Sequence, residues 1–180
     1  MANYNQWKNG MEFIDNKLIE DFSNDGAVLC KGIFLDWLDP LRIGVDKLIQ
    51  NPSVRERSYT PNDGTAPFFQ DLVNWDRIPE FKDFIFKSNI GLHAAKLMNS
   101  KKSIFFHDHV LVKEPGSSIV TPWHQDKPYY CVDGKKSVTA AVAAVPRFDI
   151  SVASINPSSK MLPIFPERIS ANFLLFDLLI

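Results

Sequence analysis

The sequence has few of the features that mark a secreted, membrane-bound or nucleic-acid-binding protein. It contains only two cysteines, Cys30 and Cys131, too few for a disulfide framework or a CxxC metal site. Its 20 basic and 21 acidic residues give a formal net charge of -1, and the densest basic cluster is Lys101-Lys102. The composition therefore gives no reason to expect nucleic acid or an anionic membrane as a partner.

Long apolar runs and targeting signals are also lacking. The run FLLFDLLI at the C-terminal end is short and interrupted by Asp177, far below the roughly 20 residues that a membrane span needs. The opening MANYNQWKNGMEF has neither the basic nor the apolar region of a secretory signal. We therefore expect a cytoplasmic protein, whose 180 residues suit one domain spanning residues 1–180.

The spacing of apolar residues changes near residue 101, from a helical period to strict alternation. Helices are predicted over 12–22, from about Asp36, over 77–87, and over 89–99 with Ser88 as N-cap; AVLCKGIF (27–34) is predicted to be a strand and the polar segment 51–67 a loop. Three strands are predicted in SIFFHDHVLVKEP, WHQDKPYYCV and SVTAAVAAV. The sequence thus predicts an α+β protein with a helical part (about 1–100) packed on an antiparallel sheet or jelly roll (about 101–180).

Polar side chains alternate with apolar ones along the first of these strands. His107, His109 and Lys113 share one parity, and side chains of one parity lie on one face of a strand. In the next strand, His124 and Asp126 share a face by the same rule. We therefore expect the two strands to present these five side chains to one cavity.

The pair His124-x-Asp126 is a weak metal-binding signal when taken alone. A histidine and a carboxylate two residues apart can occupy one face of an octahedral metal ion. With a second histidine they form the 2-His-1-carboxylate triad of non-haem Fe(II) oxygenases. The alternative is a hydrogen-bonded histidine near a turn.

The surrounding sequence makes the metal interpretation more specific. The run HVLVKEPGSSIVTPWHQDKPYY resembles the phytanoyl-CoA dioxygenase family of Fe(II)- and 2-oxoglutarate-dependent oxygenases, in which a strand ending in a Lys-x-Pro turn leads into Pro-x-His-Gln-Asp and aromatics. FSNDGAVLCKGIF resembles the opening of these proteins, so the likeness extends over roughly residues 13–145. It implies a double-stranded β-helix (jelly roll) with N-terminal helices, and hydroxylation of a small metabolite or lipid-like substrate with Fe(II), O2 and 2-oxoglutarate.

The resemblance also implies roles for individual residues. His124 and Asp126 match the first two iron ligands, His109 matches a position lining the 2-oxoglutarate pocket, and Lys113 matches the lysine before the turn. A carboxylate at Asp126 favours hydroxylation over halogenation. His107, Trp123 and Tyr129 are expected around the pocket, although packing is the alternative for the aromatics and a solvated strand end for Lys113. His93, in a helical segment, is expected to be structural.

The distal iron-ligating histidine that the resemblance requires is absent. The four histidines are residues 93, 107, 109 and 124, so none follows Asp126. Three explanations remain open: the sequence is a fragment whose last barrel strands are missing, it is a degenerate member without activity, or His107 or His109 completes the metal site. The first is favoured, because a barrel without its closing strands exposes unpaired edges.

A rival interpretation is a cupin-like metal site or a non-catalytic binding domain. His107-x-His109 followed after four residues by Glu114 has the core spacing of a cupin motif. Lys101 and Thr121 stand where that motif has glycines, and Glu114 precedes a Pro-Gly turn. The oxygenase interpretation is therefore preferred.

Overall fold

A computed structural model of the chain describes residues 14–119, 136–143 and 172–179, the last segment by its backbone alone. The elements in chain order are α1 (Asn16–Asp25), α2 (Leu38–Gln50), β1 (Phe68–Leu72), α3 (Pro79–Lys87), α4 (Ile90–Leu97), β2 (Ile104–Lys113), β3 (Ser137–Ala143) and β4 (Asn172–Leu179). The expected combination of helices with an antiparallel sheet is confirmed.

The ends of α1 follow from local capping chemistry. The carboxylate of Asp15 accepts a hydrogen bond from the backbone N–H of Leu18 at 2.8 Å, which satisfies a free donor of the first turn. Gly26 adopts a left-handed φ of 77° and donates its N–H to Phe22 O, ending the helix. The helix predicted over 12–22 therefore ends at Asp25, directly before Gly26.

The predicted strand over 27–34 is wrong. Residues 31–34 form a turn, in which Gly32 has a left-handed φ of 75° that strands do not contain. Val28 and Cys30 are buried on either side of the half-exposed Leu29. The alternation of apolar residues in this segment therefore arises from burial in the helical core and not from strand pairing.

Two further boundaries differ from the prediction. β1 was not expected within the helical part, and Asn89, with a left-handed φ of 66°, occupies the N-cap position of α4 that was assigned to Ser88. The Ser88 hydroxyl still accepts a hydrogen bond from the N–H of Ile90 at 3.3 Å. The serine thus supports the start of α4 from one residue upstream.

The four described strands form one antiparallel sheet in the order β1-β2-β4-β3. β4 pairs with β2 on one side and with β3 on the other, so β2 and β3 run in the same direction without pairing with each other. Ile104 and Ser137 both pair with Leu179, which places the beginnings of β2 and β3 at the same end of the sheet.

The polar segment 51–67 covers the outer edge of β1. Tyr59 and Phe68 exchange two backbone hydrogen bonds of 2.9 Å, and Arg57 N donates to Gln70 O at 2.8 Å. The side chain of Arg55 donates to the carbonyls of Leu72 and Val73. Because these contacts use backbone groups that an open edge would expose, the segment protects β1 from pairing with another chain.

The hydrophobic core lies between the helices and one face of the sheet. Its largest fully buried side chains are Phe34, Phe81, Phe84, Ile14, Leu41, Leu48, Ile90 and Val110. The sheet contributes Val110 and Val112 from β2 and alternate residues of β3. None of the helices that the structure describes is long and apolar enough to cross a membrane.

His93 belongs to this core. It is 9% exposed on α4, and its ring packs edge to face on Phe34 with the centroids 5.9 Å apart. Burial, reinforced by the positive charge of Lys96, lowers the pKa of His93 from 6.5 to about 4. The folded protein therefore keeps this imidazole neutral while the unfolded chain protonates it below pH 6.5.

We predict that His93 makes the protein less stable as the pH falls from 6.5 towards 4. The unfolded state binds the additional proton, so between pH 7 and pH 5 the free energy of unfolding should fall by about 2 kcal/mol on account of this residue. Urea denaturation of the wild type and of His93→Leu at both pH values measures the difference. An equal loss in the two proteins would contradict the assignment.

Candidate functional site

The two faces of β2 have opposite character. Asp108, Val110 and Val112 are buried towards the helices, whereas His107, His109 and Lys113, on the other parity, are half-buried. The Nδ1 atom of His107 and the Nε2 atom of His109 are themselves buried. The predicted division of the strand into an apolar face and a face with two imidazoles and an ammonium group is therefore confirmed.

The strands beside β2 determine the neighbours of these side chains. On one side, β1 pairs Leu72 with His109 and Phe68 with Lys113. On the other side, β4 pairs Asp177 with His107, and Asp177 in turn pairs with Thr139 of β3. Thr139 is only 5% exposed, so a buried hydroxyl lies in the same cross-strand row as His107.

Asp108 lies between His107 and His109 in the sequence of β2 and faces the opposite side of the strand, where it fixes β2 to the turn after β1. Its carboxylate is fully buried and accepts hydrogen bonds from the backbone N–H groups of Asn74, at 3.0 and 3.1 Å, and Trp75, at 2.9 Å. Burial raises its pKa, against the opposing effect of these N–H groups and of His107. The same turn contains Val73 at a left-handed φ of 56°, an unfavourable conformation for a β-branched residue.

A second buried carboxylate, Asp71, ties segment 51–67 to β1. It accepts hydrogen bonds from Ser53 N at 2.7 Å and Ser53 Oγ at 2.5 Å. Burial alone would raise its pKa, but these and other hydrogen bonds outweigh that effect and lower it. Neither buried aspartate was predicted as a structural residue; the one signal in the sequence was a charged residue at a position of the apolar face in each strand.

Segment 51–67 also contacts the turn that follows β2. Asp63 accepts hydrogen bonds from the hydroxyls of Thr65, at 2.6 Å, and Ser118, at 2.7 Å. These hydrogen bonds lower the pKa of Asp63 to about 2. The contact connects the expected loop to the residues that lead into the His124-x-Asp126 segment.

The strongest predicted ligands, His124 and Asp126, lie outside the described residues, as do Trp123, Tyr129 and the predicted strand 123–132. Of the predicted site residues, the structure describes His107, His109 and Lys113, which lie along one face of β2. Among the described side chains, no group of three His, Cys, Asp or Glu residues is placed to hold a metal ion. Glu114, the third residue of the cupin-like alternative, is exposed and does not join the two histidines in such a group.

We predict that Asp108→Ala destabilises the protein by about 3 kcal/mol, because it leaves the buried N–H groups of Asn74 and Trp75 without an acceptor. Asp108→Asn retains one acceptor oxygen and should cost less. Asp46→Ala, an exposed position on α2, is the matched control and should stay within about 0.5 kcal/mol. Urea denaturation measures all three variants, and equal effects of Asp108→Ala and Asp46→Ala would refute the role of Asp108.

The chain matches no protein-family model and no curated protein sequence. It does share its fold with solved structures. AviO1 from Streptomyces viridochromogenes Tue57 aligns with a TM-score of 0.67 and 13% identity over 95% of this chain and 97% of AviO1. The epimerase SnoN, solved in complex with Fe3+, alpha ketoglutarate and nogalamycin RO, aligns with a TM-score of 0.61 and 13% identity over 91% of this chain and 76% of SnoN. EvdMO1 aligns with a TM-score of 0.58 and 16% identity over 91% of this chain and 49% of EvdMO1. The chain thus has a fold that also occurs in a protein holding iron and alpha ketoglutarate.

Proposed function

We propose that the chain is an Fe(II)/2-oxoglutarate-dependent oxygenase domain of the phytanoyl-CoA dioxygenase type, a double-stranded β-helix that hydroxylates a small metabolite or lipid-like molecule. The observation that carries this proposal is the shared fold with SnoN, whose structure contains Fe3+ and alpha ketoglutarate. The His124-x-Asp126 motif adds a donor pair of the appropriate chemistry.

The strand order supports the jelly-roll part of the proposal. β2 and β3 run in the same direction on either side of β4, so Lys113 and Ser137 lie at opposite ends of the sheet. The connection between them must therefore return along a sheet about 25 Å long. His124 and Asp126 belong to this connection, and strands that return through a second sheet are the defining feature of jelly rolls.

The described side chains are compatible with iron and 2-oxoglutarate. The sheet face turned away from the helices offers imidazole nitrogens, which suit Fe(II), and the ammonium of Lys113, which suits a carboxylate of the co-substrate. The opposite face is occupied by apolar core residues and the hydrogen-bonded Asp108.

The roles of the residues follow from this placement. His124 and Asp126 would hold the iron, which, when bound with O2 and 2-oxoglutarate, supplies the oxidising chemistry. His109 would border the co-substrate, and Lys113 would pair with its distal carboxylate. His107, Trp123 and Tyr129 would line the substrate pocket. An imidazole of β2, from His107 or His109, would be a candidate for the third metal ligand.

We predict that the anaerobic protein binds Fe(II) together with 2-oxoglutarate, shows the weak visible charge-transfer band of that complex, and releases succinate when O2 is admitted. His124→Ala and Asp126→Ala should abolish both signals. Lys113→Gln should weaken 2-oxoglutarate binding about tenfold or more while leaving Fe(II) binding unchanged, because only a charge-assisted contact to the co-substrate is lost.

Lys102→Gln is the matched control, because Lys102 is exposed just before β2 and lies outside the proposed site. A charge-transfer band that persists in Asp126→Ala would contradict the assignment of the ligands. Binding of both molecules without succinate would support the alternative of a non-catalytic domain. Fe(II) binding that depends on His107 but not on His124 would support the cupin-like alternative.

A further inference from the structure

The sheet continues for a few residues beyond the edge of β1. Tyr59 and Phe68 form an antiparallel bridge, and Arg57 N donates to Gln70 O at 2.8 Å, which places Arg57 opposite Gln70. On its other side, Phe68 pairs with Lys113 of β2. Tyr59, Phe68 and Lys113 therefore form one row across three neighbouring stretches of the chain.

This row continues the face of the sheet that carries the histidines of β2. Directly opposed residues of antiparallel strands have their side chains on the same face, so Tyr59 shares the face of Lys113. Gln70, two residues after Phe68, has the same orientation, and so does Arg57 opposite it. A guanidinium, a phenol and an amide thus border the polar face of β2 at its outer edge.

The cations of this edge have no acidic partner among the described residues. The exposed Arg57 donates one hydrogen bond from Nη1 to Glu56 O at 2.6 Å, and neither it nor Lys113 forms an ion pair with a described side chain. The carboxylate of Glu56 instead accepts a hydrogen bond from Ser58 N at 2.7 Å. The amide of the half-buried Gln70 makes no hydrogen bond to another described side chain. The edge therefore presents hydrogen-bond donors and positive charge.

Donors of this kind suit a carboxylate or a phosphate. A guanidinium can bind either group through two parallel hydrogen bonds, and a phenol and an amide can each donate one more. The ring of Tyr59, which is 55% exposed, offers apolar surface beside them. We propose that Arg57, Tyr59 and Gln70 bind an anionic group, a carboxylate or a phosphate, of the organic substrate.

This inference rests on the proposed oxygenase function and adds the charge of its substrate. Neighbouring strands lie about 4.8 Å apart, so the stretch 57–59 is about 10 Å from β2. An anion bound there lies beside the 2-oxoglutarate assigned to Lys113 and does not replace it. The three residues therefore favour a negatively charged substrate over a neutral molecule of the same shape.

The test is an NMR titration of the nitrogen-15-labelled protein with saturating 2-oxoglutarate and Zn2+, a diamagnetic substitute for iron. The probes are phenyl phosphate, phenylacetate and the neutral benzyl alcohol. An anionic probe should shift the side-chain N–H signals of Arg57 and Gln70, and Arg57→Gln should weaken its binding about fivefold or more. Arg42→Gln, on α2, is the matched control and should leave the affinity unchanged. Tighter binding of phenyl phosphate supports a phosphorylated substrate, and tighter binding of phenylacetate supports a carboxylic acid.

Equal affinities for benzyl alcohol and both anions, or an anion affinity that Arg57→Gln does not alter, would overturn the inference. It would also be overturned if 2-oxoglutarate alone shifted both signals and blocked the probes, because Arg57 and Gln70 would then belong to the co-substrate site. The titration contains no iron. Its failure therefore leaves the charge-transfer and succinate measurements as an independent test of the proposed oxygenase.

Discussion

The fixed position of Asp108 is the constraint on which the candidate site depends. A buried carboxylate cannot turn away from its donors without leaving backbone N–H groups unsatisfied, so Asp108 must face Asn74 and Trp75. Since successive side chains of a strand lie on opposite faces, this contact obliges His107 and His109 to face the other way. A one-residue slip of β2 would bury both imidazoles in the hydrophobic core and expose Asp108.

The helices reinforce this arrangement. Core residues of α2, α3 and α4 form one buried cluster with Val110 and Val112 of β2 and with residues of β3. Segment 51–67 covers β1 through backbone hydrogen bonds and through Asp71. The apolar face of the sheet and the β1 edge are thus occupied by the helices and by segment 51–67. Two hydrogen bonds keep Val73 in its left-handed conformation: its N–H donates to Asp108 O, and its carbonyl accepts from the guanidinium of Arg55.

The parity of β2 could be predicted from the sequence, because alternation reports directly which residues share a face. The same reasoning failed at 27–34, where alternating burial arose from packing on helices and Gly32 turned the chain. β1 was missed because five residues with a central Gln70-Asp71 carry little apolar signal. The strand order could not be predicted from local sequence patterns, because the pairing of β2 with β4 joins residues about 70 positions apart.

Asp177 illustrates the same limit on prediction from sequence. In the sequence it interrupts an apolar run, and only the register shows that it lies between His107 and Thr139. The number of imidazoles then restricts the chemistry further. Of four histidines, His93 is packed in the core, which leaves His107, His109 and His124 as the nitrogen donors for any metal centre in this sequence. Two of these three lie on one strand, so any pair of imidazoles drawn from them includes at least one residue of β2.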